Sequence, residues 1–434
     1  AIHGFDERRH LDDLAADVIF AQELCLTTGI TSYQDVNTRG RKRVMGYYKA
    51  LDSLKARAFM LYTIEKTNDI NTSLNDLFVY KGPWLSLGGD KFLLDGQPPT
   101  SYTYEPHPGP SWDLPTWDPD TLEKVVKQLH RAGHQIAFHC MGDHAIDLAL
   151  DIIEAAQADS FRLDHRHRLE HCMIPSSDAI VRMKELGVVV SLQPSTIYSS
   201  ALFYLGFWGQ ERASRFMPMR SLLDRGIPVA LGTDYPTIPN IAPKYTLWTA
   251  TTRMSETGHF LGFPERVSIQ EALYAQTMGS AYAAFEEDIK GSIEVGKYAD
   301  MVVWSDDMYS IPVNKIKDLY VISTIVAGIV YNNPNVGIEH YYEKNESQGF
   351  ELKQNYPNPF SEQTNIAFEV PKPSHVQINI LNNNGQFVKR VMDKILHQGK
   401  HKIVFDASQL ASGIYFIQMK TERFTETKEM YIVK

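Results

Sequence analysis

Residues 135–156 read QIAFHCMGDHAIDLALDIIEAA, a short apolar run followed by an amphipathic pattern. The run Gln135–Cys140 has the length and composition of a buried strand. In Ala145–Ala156, apolar residues such as Ile146 and Ile153 return every three or four positions, which is typical of one face of a helix. Parallel sheets are built from strands that alternate with helices, so this stretch predicts an α/β fold.

The same alternation extends from Leu11 to Asp234, where helical patterns such as Thr121–Ala132 separate short apolar runs. Seven runs are predicted strands: Ile30–Val36, Ala56–Ile64, Leu85–Leu94, Gln135–Cys140, Arg166–His171, Val188–Gln193 and Val229–Asp234. A closed (β/α)8 barrel needs eight strands, and the helical stretch Leu11–Thr28 has no strand before it. We therefore expect a TIM-type (β/α)8 barrel that lacks its first strand in this chain.

The pattern changes after the predicted barrel. Ala299–Trp304 and Val321–Tyr331 are predicted strands, and Glu343–Gly349 is a polar stretch without periodicity. From Phe350 onward apolar and polar residues alternate, with a turn at Asn382–Gly385, as in strands that bury one face. We predict four parts: a barrel (1–305), returning strands of a small β-sandwich (306–342), a linker (343–349) and an all-β sandwich (350–434).

The bulk composition limits the classes of function. The 434 residues are 43% hydrophobic and 22% charged, as in soluble proteins of two or three domains. The net charge of −9 argues against a nucleic-acid partner, and no apolar run approaches the ~20 residues of a membrane span. The three cysteines do not form a disulfide framework.

Four predicted strands carry residue types that bind divalent metals. Lys91 lies in an otherwise apolar strand, while His139, His171 and Asp234 lie at strand ends. Each has a simpler explanation alone: a strand-end histidine often belongs to the core or rim, Asp234 could cap a turn, and Lys91 could reach solvent. Because strands four, five, six and eight of a barrel converge on one mouth, we predict that the four side chains meet there.

These residue types suit metal-assisted hydrolysis of a small-molecule substrate. Two imidazoles and a carboxylate suit Zn²⁺ or a similar divalent ion, as one or two ions. Burial lowers the pKa of a lysine, and its amine can then take up carbon dioxide to form a bridging carbamate. A bridging water becomes hydroxide near neutral pH, and an aspartate beside it can accept the proton.

Four strings carry a family resemblance: GGDKFLLDG (88–96), HCMGD (139–143), RHRLEH (166–171) and LGTD (231–234). They resemble the metal-dependent amidohydrolase family 3, which includes exoenzyme-regulator-like proteins and N-substituted formamide deformylases. The run 291–300 is similar to the segment that leads that family back into its small β-sandwich, and the resemblance covers roughly Leu11 to Asn332.

The resemblance implies a role for each candidate residue. Lys91 would be the carbamylated bridging ligand, His139 and His171 the imidazole ligands, and Asp234 both a ligand and the proton shuttle. It also implies hydrolysis of carbon–nitrogen bonds in amide-like or formamide-like substrates.

Two features depart from the family pattern. The His-x-His pair of its first strand does not occur near the start of this chain, where His3 and His10 have the wrong spacing. Asp90 is also unexpected, since its side chain should point toward the outer helices and bury a charge. A catalytically incomplete fragment or a non-enzymatic surface binding protein therefore remains an alternative, which an upstream His-x-His would exclude.

Aromatic residues follow two of the predicted strands. The stretch Tyr102–Trp117, which also holds Tyr104 and Trp112, is interpreted either as a proline-stiffened surface loop or as an aromatic lid over the mouth. Ile197–Phe207 adds aromatic residues at the same face.

The final segment carries a second resemblance. The strings NYPNPF (355–360), GQFV (385–388) and SGIYF (412–416) resemble the C-terminal sorting domain of proteins exported by the bacterial type IX secretion system. This implies a partner in that machinery, a tail that serves as an export address and can be cleaved during translocation, and a protein secreted or held at the outer-membrane surface. The alternative is a carbohydrate-binding or adhesive β-module. Because the segment lacks clustered ligands, we expect catalysis not to depend on it, and we expect a flexible connection through Glu343–Gly349.

Overall fold

A computed structural model describes residues 9–76, 80–105, 114–333, 349–382, 385–421 and 424–434. Several predicted features fall wholly or partly outside these ranges: His3, Trp112, the linker Glu343–Gly349 and the turn Asn382–Gly385. In the described part of the chain, no helix is long and apolar enough to cross a membrane.

Seven parallel strands form a curled half-barrel in chain order. They are β1 (Ser32–Arg39), β2 (Arg57–Thr63), β4 (Leu85–Leu93), β5 (Gln135–Cys140), β6 (Arg168–His171), β7 (Val189–Leu192) and β8 (Val229–Leu231). Each corresponds to a predicted strand. The two-residue strand β3 (Tyr80–Lys81) pairs antiparallel with β4 and was not predicted. Because β1 and β8 lie at opposite edges, the sheet is open within the described ranges.

Helices cover the outer face of this sheet. They span Leu11–Thr27, Arg41–Ala50, Asp69–Asn71, Pro119–Arg131, Asp143–Asp159, Ser177–Leu186, Ser195–Ala213, Met219–Asp224, Pro243–Thr252, Ile269–Tyr274 and Ser280–Ala283. Pro119–Arg131 shows why the pattern was readable: Asp118 caps its first turn by accepting the N–H of Thr121 (3.0 Å), and the helix buries Val126 and Leu129 completely.

The inside of the half-barrel is apolar at the end where the strands begin. Phe59 and Leu61 of β2 pack there with Ala137 of β5 and with Ala284. Gln135 at the start of β5 donates from Nε2 to the carbonyl of Ala283 (2.9 Å). The segment around Ala283 therefore closes this end of the sheet, and the opposite end, where the strands finish, is left for polar groups.

A small antiparallel sheet follows the barrel helices. Its strands are β9 (Met301–Trp304), β10 (Val321–Val326) and β11 (Ile329–Asn332), joined between β10 and β11 by a turn in which Ala327 and Gly328 both have positive φ.

The small sheet is anchored to the barrel by a buried ion pair. Asp300 accepts two hydrogen bonds from the guanidinium of Arg57 on β2 (2.6 and 3.0 Å) and one from the backbone N–H of Ala327 (2.9 Å). The Arg57 guanidinium also lies over the ring of Tyr298, 3.7 Å from its centroid. The motif that ends at Asp300 therefore works as a structural joint between β2 and the small sheet.

The C-terminal region, residues 349–434, contains two antiparallel sheets. One consists of β12 (Glu351–Leu352), β13 (Gln363–Val370) and β16 (Gly399–Asp406). The other has the order β15 (Phe387–Leu396), β14 (Ser374–Asn382), β17 (Gly413–Lys420) and β18 (Thr425–Ile432). Both sheets bury their alternating apolar residues in one core, which includes Ile366, Phe368, Ile378, Ile417 and Met430.

Three buried histidines form a hydrogen-bonded chain outside β5 and β6. His130 donates from Nε2 to the carbonyl of Ser160 (2.6 Å), so its Nδ1 accepts from Nε2 of His167 (2.8 Å). His165 donates from Nε2 to the carbonyl of Leu186 (2.8 Å) and accepts at Nδ1 from the backbone N–H of His167 (2.9 Å). Burial lowers the pKa of all three rings, so the fold holds them neutral.

This chain of neutral rings predicts acid sensitivity. Since the folded-state pKa values lie below the unfolded value of about 6.5, the unfolded state gains protons first as the pH falls below that value. The free energy of unfolding should then drop by up to about 1.4 kcal/mol per pH unit for each neutral ring. Replacing His165 by Asn keeps an acceptor for the N–H of His167 but removes one titrating group.

The measurement is denaturant unfolding of the wild type and of His165→Asn between pH 7.5 and pH 5.5. We expect a shallower loss of stability in the variant, while replacing the exposed His397 by Asn should leave the slope unchanged. Equal slopes for the wild type and His165→Asn would show that His165 is not held neutral.

Candidate metal centre

The inner face of the half-barrel becomes polar toward the ends of the strands. Lys91 on β4 is paired in register with Ala137 on β5, whose side chain packs inside the sheet, so Lys91 shares that inner face. Two residues farther along β5, His139 is paired with Glu170 on β6. Lys91 is 4% exposed and Glu170 is 1% exposed, so both charged residues are held away from water.

His171 and Asp234 reach the same region because the backbone turns at the ends of β6 and β8. Alternation along β6 would direct His171 outward with Leu169, which belongs to the outer core. Instead His171 has a φ of +73°, and its ring centroid lies 4.4 Å from that of His139. Asp234 has a φ of +58°. Such strained, non-glycine conformations are frequent at functional sites.

The electrostatics of the four residues favour metal ligation. Burial lowers the pKa of Lys91, against the attraction of Glu170 and Asp234. Burial also lowers the pKa of His139, with the neighbouring His171 acting in the same direction. Burial likewise lowers the pKa of His171, although Asp234 opposes this. The rings are therefore neutral near pH 7, which is the form that binds a metal.

One buried atom of the site is left without a hydrogen-bond partner among the described residues. Nε2 of His139 is buried, and no hydrogen-bond partner reaches it within the described ranges. A buried ring nitrogen without a partner costs free energy unless a group other than the protein, such as an ion or a water molecule, binds it. A divalent ion fits this requirement.

The candidate side chains do not form a complete metal site by themselves. In the portion of the chain that the structure describes, no three His, Cys, Asp or Glu side chains are grouped closely enough to hold an ion. Lysine is not among these residue types. Its amine provides oxygen ligands only after it has been converted to a carbamate. His139, His171 and Asp234 therefore need Lys91 in that form, or further ligands.

A buried ion pair lies directly beneath the candidate ligands. Nε of Arg168 is 2.7 Å from Oε1 of Glu170, and both side chains are 2% exposed. Arg168 also donates to the side chain of Gln34 on β1, and the hydroxyl of Ser191 on β7 donates to Glu170. Although burial opposes ionisation, Arg168 and Lys91 hold the pKa of Glu170 below its usual range. The pair thus links three strands across the inside of the sheet.

Replacing Glu170 by Gln should destabilise the protein strongly, since it leaves Arg168 as a buried cation without its partner. The expected loss is about 3–5 kcal/mol in the free energy of unfolding, measured by denaturant titration. The matched control is Glu185→Gln on the exposed face of a helix, which should change stability by less than about 0.5 kcal/mol. The double variant Arg168→Met, Glu170→Gln should be more stable than Glu170→Gln alone. A double variant that is less stable would contradict this account.

Asp95 organises the loops beside His139, a role that the sequence did not reveal. Its buried carboxylate accepts backbone N–H groups from Tyr102 (3.1 Å), Met141 (3.0 Å) and Gly142 (2.8 Å). Burial raises its pKa to about 7, although the three N–H groups act in the opposite direction. One of its oxygens is 3.8 Å from Nε2 of His139. Asp95 therefore fixes the backbone directly after β5, the strand that carries His139.

Asp90 is directed toward the outer helices, as its position next to Lys91 predicted. Its carboxylate lies 2.6 Å from Nδ1 of His134 and accepts a hydrogen bond from the hydroxyl of Ser73. The buried charge is thereby compensated by two polar partners, and Asp90 does not belong to the metal centre.

The predicted aromatic lid is only partly visible. Tyr102 and Tyr104 stack on His144, with ring centroids 3.9 and 4.1 Å away, at the start of helix Asp143–Asp159. Trp117 is buried against Phe92, 5.5 Å between centroids, and is therefore a core residue. Trp112 lies outside the described ranges, so the lid interpretation stays a prediction.

A cavity of about 330 Å³ opens at the same end of the sheet. Its walls come from the segments that follow β4, β7 and β8, including Gln97, Tyr198, Tyr204 and Ile238. The backbone N–H of Ile238 donates to the carbonyl of Asp234 (3.0 Å), which links the cavity to the candidate metal centre. The cavity therefore lies next to the turn that follows Asp234, although none of the four candidate ligands is among the described residues that line it.

A parallel half-barrel with reactive side chains at its carboxyl ends defines the class of (β/α)8-barrel proteins. Within that class the chain belongs to the amidohydrolase family, whose sequence profile matches residues 12–331. Residues 354–434 match the secretion system C-terminal sorting domain. That domain marks proteins exported by the type IX secretion system to the cell surface or the medium.

Individual relatives agree with this assignment. Protein LONG AFTER FAR-RED 3 of Arabidopsis thaliana is 33% identical over 59% of this chain and 45% of its own length. The N-substituted formamide deformylase of Arthrobacter pascens is 32% identical over 48% of this chain and 38% of its own length. The chain therefore spans less than half the length of these two relatives.

Solved structures show the same fold. A metal-dependent hydrolase from Pyrococcus furiosus superposes with a TM-score of 0.59 and 27% identity, covering 67% of this chain and 60% of that structure. Atrazine chlorohydrolase from Arthrobacter aurescens, solved with zinc, has a TM-score of 0.50 over 74% of this chain and 72% of its own, and at 17% identity it shows the fold alone.

Proposed function

We propose that this protein is a metal-dependent hydrolase of carbon–nitrogen bonds in small molecules, with non-peptide amides or formamides as its substrates. The observation that carries the proposal is the convergence of Lys91, His139, His171 and Asp234 on one end of the sheet, beside a cavity. The similarity to a formamide deformylase supports this substrate class. The sorting domain supports a site of action at the cell surface or in the medium.

Each residue has a defined role in this proposal. Lys91, carbamylated by carbon dioxide, would hold one or two divalent ions together with His139, His171 and Asp234, and Zn²⁺ suits this donor set best. The bound metal supplies an acidified water as the nucleophile near neutral pH. Asp234 accepts the proton of that water and passes it to the leaving nitrogen. Asp95 positions the loop that follows His139, and Glu170 balances the charge of Arg168.

A further strand, paired between β8 and β1, completes the site in this proposal. It would close the sheet and carry the His-x-His pair of the family, which adds two imidazole ligands. The open edges of β1 and β8 and the incomplete ligand group support this addition. Without such a strand, the chain corresponds to the catalytically incomplete alternative.

The 434-residue chain alone should therefore be a poor catalyst. With Zn²⁺ and bicarbonate added, we expect little or no formate release from N-alkyl and N-aryl formamides, because two imidazole ligands are missing. The comparison is the protein isolated from the bacterium that exports it. Equal turnover by both proteins would show that the missing ligands have been misplaced.

The exported protein should lose activity when Asp234 is replaced by Asn, which preserves the shape of the side chain but not its proton affinity. We expect kcat for formamide hydrolysis to fall by about 10²- to 10⁴-fold, the usual contribution of a general acid–base group, with a smaller change in KM. Replacing the exposed Asp306 by Asn is the matched control and should have no effect. An Asp234→Asn variant with normal kcat would remove Asp234 from the mechanism.

A further inference from the structure

The outer face of the four-stranded C-terminal sheet is buried where an isolated domain would expose it. Along β17, Ile417 and Met419 point into the domain's own core. Phe416 and Gln418 alternate with them and point the other way, yet they are only 3% and 6% exposed. Leu381 on the neighbouring strand β14 is also buried, at 5%. Something outside the C-terminal region covers this face.

The covering surface is the barrel segment 254–263. The ring of Phe416 lies 5.0 Å from that of Phe260 and 4.6 Å from that of Phe263, between centroids. Gln418 donates from Nε2 to the carbonyl of Gly258 (2.7 Å) in a buried hydrogen bond. Phe416 and Leu381 thereby join the main hydrophobic core of the barrel. The contact combines aromatic packing with a satisfied polar group, as stable interfaces do.

Glycines on both sides of this contact leave no room for a side chain. A Cβ at Gly258, where φ is +80°, would lie 2.4 Å from Nε2 of Gln418 and 2.9 Å from Cγ2 of Thr425. A Cβ at Gly385 would lie 2.1 Å from Cβ of Phe260. The two surfaces are therefore matched in shape at both positions.

The same barrel segment faces the candidate substrate cavity on its other side. Ser255, Glu256 and Thr257 line the cavity together with Tyr198. The backbone N–H of Glu256 donates to the carbonyl of Tyr198 (2.9 Å), which fixes this wall to helix Ser195–Ala213. The segment 254–263 thus contacts the C-terminal region on one side and lines the cavity on the other.

We propose that the C-terminal region, besides addressing the protein for export, docks on residues 254–263 and holds one wall of the substrate cavity in place. Loss of this contact frees the segment 255–257 and weakens substrate binding, while the candidate ligands at the strand ends keep their positions. The statement about substrate rests on the proposed function, whereas the docking itself does not. This proposal differs from the prediction made from the sequence, in which the C-terminal region is joined flexibly and catalysis does not depend on it.

The test uses single substitutions in the full-length protein, isolated from the cells before export with its C-terminal region attached. Phe416→Ala and Gln418→Ala remove docking contacts that lie outside the domain's own core, so both variants should fold. Ile414→Ala is the matched control, since it lies on the same face of the same strand but is 36% exposed. Amide hydrogen exchange of residues 254–263 is read by mass spectrometry, and formamide hydrolysis gives kcat and KM.

We expect exchange in residues 254–263 to become roughly ten-fold faster in both docking variants, with β5 and the Ile414→Ala control unchanged. KM should rise several-fold while kcat stays within two-fold. Unchanged exchange, or an equal change in Ile414→Ala, would overturn the docking. Faster exchange with an unchanged KM would overturn the role in the cavity. A wild type that does not hydrolyse formamides would count against the proposed function and would leave the exchange result intact.

Discussion

Charge balance inside the half-barrel is the constraint on which the rest of the site depends. Arg168 and, when it is protonated, Lys91 bring cationic side chains into a space closed to water, where each charge costs several kcal/mol unless it is paired. Glu170 and Asp234 supply the opposing charge. Because these groups come from β4, β6 and the segment after β8, the charges balance only when the parallel strands keep their register. The outer helices, packed on apolar runs, maintain it.

The strands were predictable because a buried parallel strand leaves a continuous apolar run in the sequence. The ends of the strands were less predictable. Strand β8 ends at Leu231, three residues before the predicted end, because the backbone leaves the sheet before it turns at Asp234. Strand β3 was missed because two residues are too few to produce a periodic signal. The small sheet was readable from Ala327-Gly328, a pair suited to a tight turn.

Only those residues of the site that could be located from their positions in predicted strands were predictable. The sequence placed Lys91 within a strand and His139, His171 and Asp234 at the ends of converging strands. Their assignment as ligands stays a proposal. The sequence could not show that Glu170 pairs with Arg168 or that Asp95 binds the loop after His139, because these are contacts between separate segments. The charge of Asp90 was noticed, but its partner His134 lies 44 positions away.

The docking face had a sequence signal of its own. In a strand with one buried face, the alternate positions should be polar, yet β17 has Phe416 and β14 has Leu381 at such positions. An apolar residue on an outward face implies a partner, since exposed apolar patches promote association. In this chain the partner is the barrel segment with Phe260 and Phe263. The C-terminal region alone would expose this apolar surface to water, and the barrel shields it.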